Sequence, residues 1–185
     1  MHRKTCLFLV LAWFLGMCPG IRASQSLPFS VEEMAVRADR VIHGKVLSKT
    51  YLRGGRGDIY TRLVVQVYEV LKGPSTNQFI IVQSGGTLGD QQMVAVGQAE
   101  YVPGEEIVDC LMLNPNGEGV SIGLGRGKFT VTEDPVTHEK RVVNPFYRSG
   151  NPPAIRPGAA PAGAKPAAPI AGLDDLKARI QGALK

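Results

Sequence analysis

Apolar side chains recur along this chain with two different periods. Between residues 58 and 71, Ile59, Thr61, Leu63, Val65 and Val67 share one face, while Tyr60, Arg62 and Gln66 share the other. Alternation with period two is the pattern of a half-buried strand. The phase slips where Tyr68 and Val70 flank Glu69, and a β-bulge would restore it. Residues 40–48 read as a second strand, with Gly44 inside it where a small coiled barrel needs a bulge or a tight bend. Residues 78–83, 106–113, 119–122, 128–131 and 140–143 supply further short strands, separated by a Gly-rich passage over 84–97 and by turn residues. Those turns are Lys72-Gly73-Pro74, Asn114-Pro115-Asn116-Gly117 and Asp134-Pro135.

Helical spacing occurs only at the two ends of this β-rich stretch. Ser30 followed by Glu33 forms a capping box, and Phe29 with Met34 is placed as a hydrophobic staple, so a short helix should run over residues 31–38. Near the end of the chain Leu173, Leu176, Ile180 and Leu184 share one helical face. Asp174 and Asp175 come early, and Lys177, Arg179 and Lys185 late, which suits the helix dipole. Between these elements, from Asn144 to Ile170, Pro and Ala dominate and large apolar residues are few. That segment reads as an extended, disordered linker. The barrel's core then lies upstream, the final helix over residues 171–185 docks on the barrel or on a partner, and truncation after Val143 should leave the barrel's stability unchanged.

The first residues follow a different grammar. His2, Arg3 and Lys4 precede an apolar run from Cys6 to Met17, and Ile21-Arg22-Ala23 places a small residue before Ser24. This predicts a cleavable export signal over residues 1–23. The run is too short for a permanent membrane anchor, and no later stretch reaches its length. Leu15-Gly16-Met17-Cys18 resembles a lipoprotein box, yet Met17 stands where a small residue is wanted, so lipidation at Cys18 is a minor alternative.

Removing residues 1–23 lowers the formal charge from +5 to +2. Residues 24–145 hold 12 basic and 14 acidic side chains, so the body is near neutral and offers no basic patch for nucleic acid. Cys6, Cys18 and Trp13 depart with the leader. Cys110 then stands alone within an apolar run and reads as a small buried hydrophobe. An exported domain with one cysteine has no internal disulfide and must fold on its hydrophobic core.

Three stretches together resemble a known pattern: Val41-Ile42-His43-Gly44-Lys45-Val46; Ile59-Tyr60-Thr61 leading to Val70-Leu71-Lys72-Gly73; and Pro103-Gly104-Glu105-Glu106 before an apolar strand. They are similar to a family of uncharacterised exported bacterial domains, in which Gly127-Lys128-Phe129-Thr130-Val131 also fits. More remotely they resemble the OB-type barrel of netrin-like domains and tissue inhibitors of metalloproteinases. The resemblance covers residues 24–143 and implies a mainly β, small OB-like barrel. It also implies inhibition of a secreted protease as one function. Inhibitors of that kind grip zinc through an N-terminal cysteine, whereas the expected start here is Ser24.

Candidate chemistry is sparse. Gly119-Val120-Ser121-Ile122-Gly123 has the spacing of a nucleophile elbow, but no helix follows Ser121, and His43 and His138 are the remaining bases. Gly123-Leu124-Gly125-Arg126-Gly127-Lys128 lacks the first glycine and the hydroxyl of a phosphate loop and reads as a turn. Arg56-Gly57-Asp58 lies where turn geometry alone calls for such residues. Two distant histidines and one cysteine do not make a zinc or iron site. Glu105 and Glu106 read as solvated. No catalytic, cofactor-binding or metal-binding residue is assigned, and no cofactor is expected. The pattern points to an exported, non-catalytic binding domain, periplasmic or extracellular, whose partner is a protein or other macromolecule. Its alternatives are a protease inhibitor and an unrecognised hydrolase.

Overall fold

A computed structural model describes residues 30–145 and 170–185. The expected leader, with Cys6, Trp13 and Cys18, lies outside the described residues, as does the Pro/Ala-rich segment up to Pro169.

Helix α1 (Val31–Arg37) begins as its sequence requires: Glu33 N–H donates to Ser30 Oγ at 3.1 Å, and Ser30 N–H to Glu33 Oε2 at 2.9 Å. Among the described residues nine strands follow: β1 (Arg40–Arg53), β2 (Ile59–Lys72), β3 (Gln78–Ser84), β4 (Gly86–Leu88), β5 (Gln91–Met93), β6 (Glu106–Leu113), β7 (Gly119–Ser121), β8 (Lys128–Glu133) and β9 (Lys140–Val143). Helix α2 (Leu173–Ala183) comes last. Strands β1, β2, β3, β7 and β6 close into a five-stranded barrel because β6 also pairs with β1. β3 meets β7 in parallel at Ile81 and Gly119, and the other barrel pairings are antiparallel. This is an OB-like barrel. β7 and β8 run along the same edge of β6, interrupted by a loop over 122–127, and β9 folds back on β8.

The bulges fall where the apolar phase slips. Register jumps from His43–Glu69 to Gly44–Val67, which leaves Tyr68 extra on β2. Gly44 is the point of closest approach: a Cβ there would lie 2.2 Å from the Gln66 carbonyl oxygen. Only glycine lets the two strands coil so tightly. A further jump between Val46 and Ser48 leaves Leu47 without a partner across β2.

Two cores result. Ile42, Val46, Leu63, Val65, Ile81 and Ile107 fill the barrel. Val41, Val108, Cys110 and Phe129 point outward and are covered by the helices. α2 is part of that second core, since Leu173, Leu176 and Ile180 are buried with Met34 and Ala35 of α1. Lys177 Nζ lies 2.6 Å from Glu69 Oε2, and Arg179 Nε lies 2.6 Å from Glu32 Oε1. The last helix therefore docks on its own barrel and completes the outer core, whereas the core inside the barrel is built from residues 42–111, upstream of Val143 as expected. Lys177 and Arg179 reach neighbouring elements rather than the helix terminus, and the last turn of α2 holds no basic residue. No described helix is long and apolar enough to cross a membrane.

Candidate functional site

Beyond Lys45, β1 outruns its partner β6, so the barrel opens into a mouth formed by β1, β2 and β3. After the irregularity at Leu47, Lys49 and Tyr51 pair across to Leu63 and Thr61 and so share the barrel's inner face. Thr61 in turn pairs with Gln83. Tyr51, Thr61 and Gln83 thus form one row across three strands, above the core layer of Leu63 and Ile81.

The short hairpin β4–β5 and the segment over 94–100 roof this row and border an open cleft of about 530 Å³. The roof is seated tightly: a Cβ on Gly86 would lie 2.4 Å from the Tyr51 ring, and the Thr61 hydroxyl donates to the Gly85 carbonyl at 2.7 Å. A second cleft of about 440 Å³ lies on the far side of the 97–100 segment, lined by Ala99, Val102, Glu105, Lys128 and Thr130 among others. Around the two clefts Val94 is 74% exposed, Val96 88%, Val102 52% and Leu124 47%. Gly97 and Leu124 are in contact, so the 94–102 segment and the 122–127 loop form one rim.

A buried polar network holds the rim from below. The Tyr101 hydroxyl donates to Asp109 Oδ2 at 2.5 Å, and the Ser121 hydroxyl to Asp109 Oδ1 at 2.8 Å. Lys128 Nζ donates to Glu105 Oε1 at 2.7 Å and to the Glu100 carbonyl, and sits 4.6 Å from the Tyr101 ring centroid. Lys49 Nζ donates to the Tyr101 carbonyl at 3.0 Å. Burial pushes the Asp109 carboxyl up to about 7, although hydrogen bonds from Tyr101 and Ser121 oppose it. Burial likewise raises the Tyr101 phenol, and the neighbouring Asp109 charge adds to the rise.

No family model and no curated protein matches the chain.

The residues singled out from the sequence are scattered. Ser121 is buried, its hydroxyl spent on Asp109. His43 lies on the other side of the sheet: it pairs with Val108, which faces the helices, whereas Ser121 contacts Asp109 on the barrel side. The geometry therefore brings neither His43 nor His138 to Ser121. His43 Nε2 is 2.6 Å from Glu106 Oε1, which Lys140 Nζ also approaches at 2.8 Å. Burial lowers the His43 pKa, against the hydrogen bond to Glu106. For Glu106 burial raises the carboxyl, but the bonds from Lys140 and His43 outweigh it and hold it below its ordinary value. Glu105 and Glu106 are both partnered by lysines rather than simply solvated. His138 sits in the β8–β9 turn beside Glu133. Cys110 is buried, which raises its thiol pKa. Gly123 to Gly127 lie in the loop between β7 and β8, with Lys128 opening β8, and Gly57 takes a left-handed turn conformation, so both glycine-rich motifs fall at turns. Among the described residues no group of three potential ligands is placed to hold a metal.

Asp109 and Gln83 were missed. The signal for Asp109 was present, since it shares the period-two face of Ile107 and Leu111 within a buried run. An acid on such a face must find donors. Nothing in the sequence marks Gln83.

Proposed function

We propose that the chain is an exported, non-catalytic domain that binds a macromolecule outside the cytoplasm through the rim of its barrel. The observation that carries this reading is the set of exposed apolar residues Val94, Val96, Val102 and Leu124 beside two clefts, on loops fixed by a buried network. Clustered apolar exposure of this kind marks interaction sites, and anchoring the loops in advance lowers the ordering cost of binding. The hydroxyl of Ser121 bound to Asp109, with His43 beyond the sheet, supports a role without hydrolysis. The near-neutral body supports a partner other than nucleic acid. A second reading, inhibition of a secreted protease, draws on the resemblance to netrin-like barrels and on the same rigidly held rim loops.

A diazirine amino acid placed at Val96 in the producing cells tests the rim. Irradiation is expected to give a discrete covalent adduct at Val96 and none at Val136, an equally exposed valine in the β8–β9 turn. Equal labelling at both positions, or none at Val96, contradicts the reading.

A further inference from the structure

The outward side of the barrel carries a buried imidazole at the place where α2 docks. His43 is 6% exposed and sits on β1 between Glu69 of β2 and Val108 of β6. Ionisable side chains from four other elements surround it. From β6, Glu106 Oε1 accepts from His43 Nε2 at 2.6 Å. From β9, Lys140 Nζ donates to both oxygens of that same carboxylate, at 2.8 and 2.9 Å. From β2, the Tyr68 ring stands edge-on with 5.6 Å between centroids, and Glu69 is the cross-strand neighbour. From α2, Lys177 is close enough to act on the charge of the imidazole, and its Nζ donates to Glu69 Oε2 at 2.6 Å.

This setting suits the neutral ring and not the charged one. With Nε2–H on Glu106, the neutral tautomer leaves Nδ1 as a lone pair, and Nδ1 is buried without a hydrogen-bond partner among the described residues. Protonation turns that atom into a buried N–H donor on a charged ring, which costs more to leave unpaired. The two carboxylates near the new charge are already engaged, Glu106 by Lys140 and Glu69 by Lys177. Burial is the first cause of the lowered His43 pKa; Lys177 and Lys140 add to it, and Glu106 opposes them. α2 packs against β2 and β9 as well as α1. Lifting it away removes Lys177, frees Glu69 and reduces the burial of this region. Each of these changes favours the protonated ring.

We propose that His43 is an acid sensor for the docking of α2: the uncharged ring leaves the helix seated, and proton uptake by the ring loosens it and uncovers the apolar outer core. The sign follows from linkage. The docked state binds the His43 proton more weakly than the undocked state, in which the imidazole returns toward its ordinary 6.5. Docking is therefore unaffected well above 6.5 and weakens as pH falls below it. The surface uncovered includes Val31, Met34, Val108 and Phe129. The other ion pair that ties α2 down does not follow the same course, because Arg179 holds the Glu32 carboxyl below its ordinary 4.5 and the pair stays charged in mild acid. Asp109 titrates inside the barrel, away from α2, and acts on stability in the opposite sense.

Amide hydrogen exchange on the full chain, expressed as protection relative to the unstructured rate at each pH, reads the helix directly. A helix this short frays once undocked, so its amides report the docking equilibrium. Between about pH 7.5 and about pH 5.5 the α2 amides are expected to lose protection while those of β2 and β3 keep theirs. His43→Gln, whose amide still donates to Glu106 but takes up no proton in this range, should hold α2 protection level. The His43 ring resonances give a second readout: their titration midpoint should lie below 6.5 and rise in Lys177→Met, since any effect of α2 on the His43 proton is returned equally by the proton on α2. Should His43→Gln fail to fold, the Lys177→Met comparison still decides. The proposal is overturned if α2 protection in the parent is level across the range, if it falls equally in His43→Gln, if β2 and β3 lose protection together with α2, or if Lys177→Met leaves the His43 midpoint in place.

Discussion

Asp109 is a carboxyl group held entirely out of water. It sits inside the barrel with two hydroxyl donors, and burial lifts its carboxyl from 3.8 to about 7. Between those values the folded protein holds a proton that the unfolded chain has released, so this group makes stability fall as pH rises. The cost is absent below 3.8 and complete above about 7, and a shift of that size corresponds to about 4 kcal/mol. His43 acts in the opposite sense: its folded value lies below the ordinary 6.5, so its contribution declines as pH drops below 6.5. Subtracting Asp109→Asn from the parent isolates the first effect. Urea midpoints measured from pH 4 to pH 8 should show the parent losing stability relative to the variant as pH rises. A constant difference across that range would contradict the burial argument. The sequence contained this acid in plain view, but periodicity reports only which face a residue occupies. Its donors come from 8 and 12 residues away, Tyr101 from the loop before β6 and Ser121 through the pairing of β7 with β6.

At the scale of elements, α2 shows both the power and the limit of periodic reading. The spacing of Leu173, Leu176 and Ile180 gave its apolar face correctly, and that face is buried. Its destination was not legible, because a stripe of leucines specifies an apolar partner without saying whose. The groove between α1 and the barrel combines residues from both ends of the barrel's sequence, from Val31 and Met34 to Phe129 and Val142, and the ion pair from Arg179 to Glu32 spans 147 positions. The bulge expected near Glu69 was legible because β-sheet burial has a strict period, so a slip in phase has to appear as an extra residue. The β4–β5 hairpin was not, since its three-residue strands are too short to show any period. Leu176 is fully buried, so Leu176→Ala is expected to cost about 2–5 kcal/mol. Guanidinium melts would show a lower midpoint with an unchanged slope. An unaltered midpoint would mean that α2 adds nothing to the fold.

For the whole molecule, the closed barrel and the docked helices each have their own core. The barrel was legible as a class because its strands, turns and glycines agree with one another. Its clefts were not, because they lie between loops whose mutual placement is fixed by Tyr101 and Lys128 rather than by any local pattern. The docking of α2 on α1 also orders events in time. Val31 and Met34 are among the earliest residues of the described fold to be synthesised, yet residues 173–180, which complete their cover, are made more than a hundred positions later. Contacts across such separations are slow to form, and apolar surface left open meanwhile is a substrate for chaperones and proteases. Nascent chains stalled after residue 145 should therefore be cut by a broad-specificity protease at concentrations that spare the complete chain, as limited proteolysis on ribosomes would read directly. Equal resistance would mean that the barrel closes first and protects itself. On that expectation α2 is a latch, closing over α1 late and sealing the outer face of the barrel when it does.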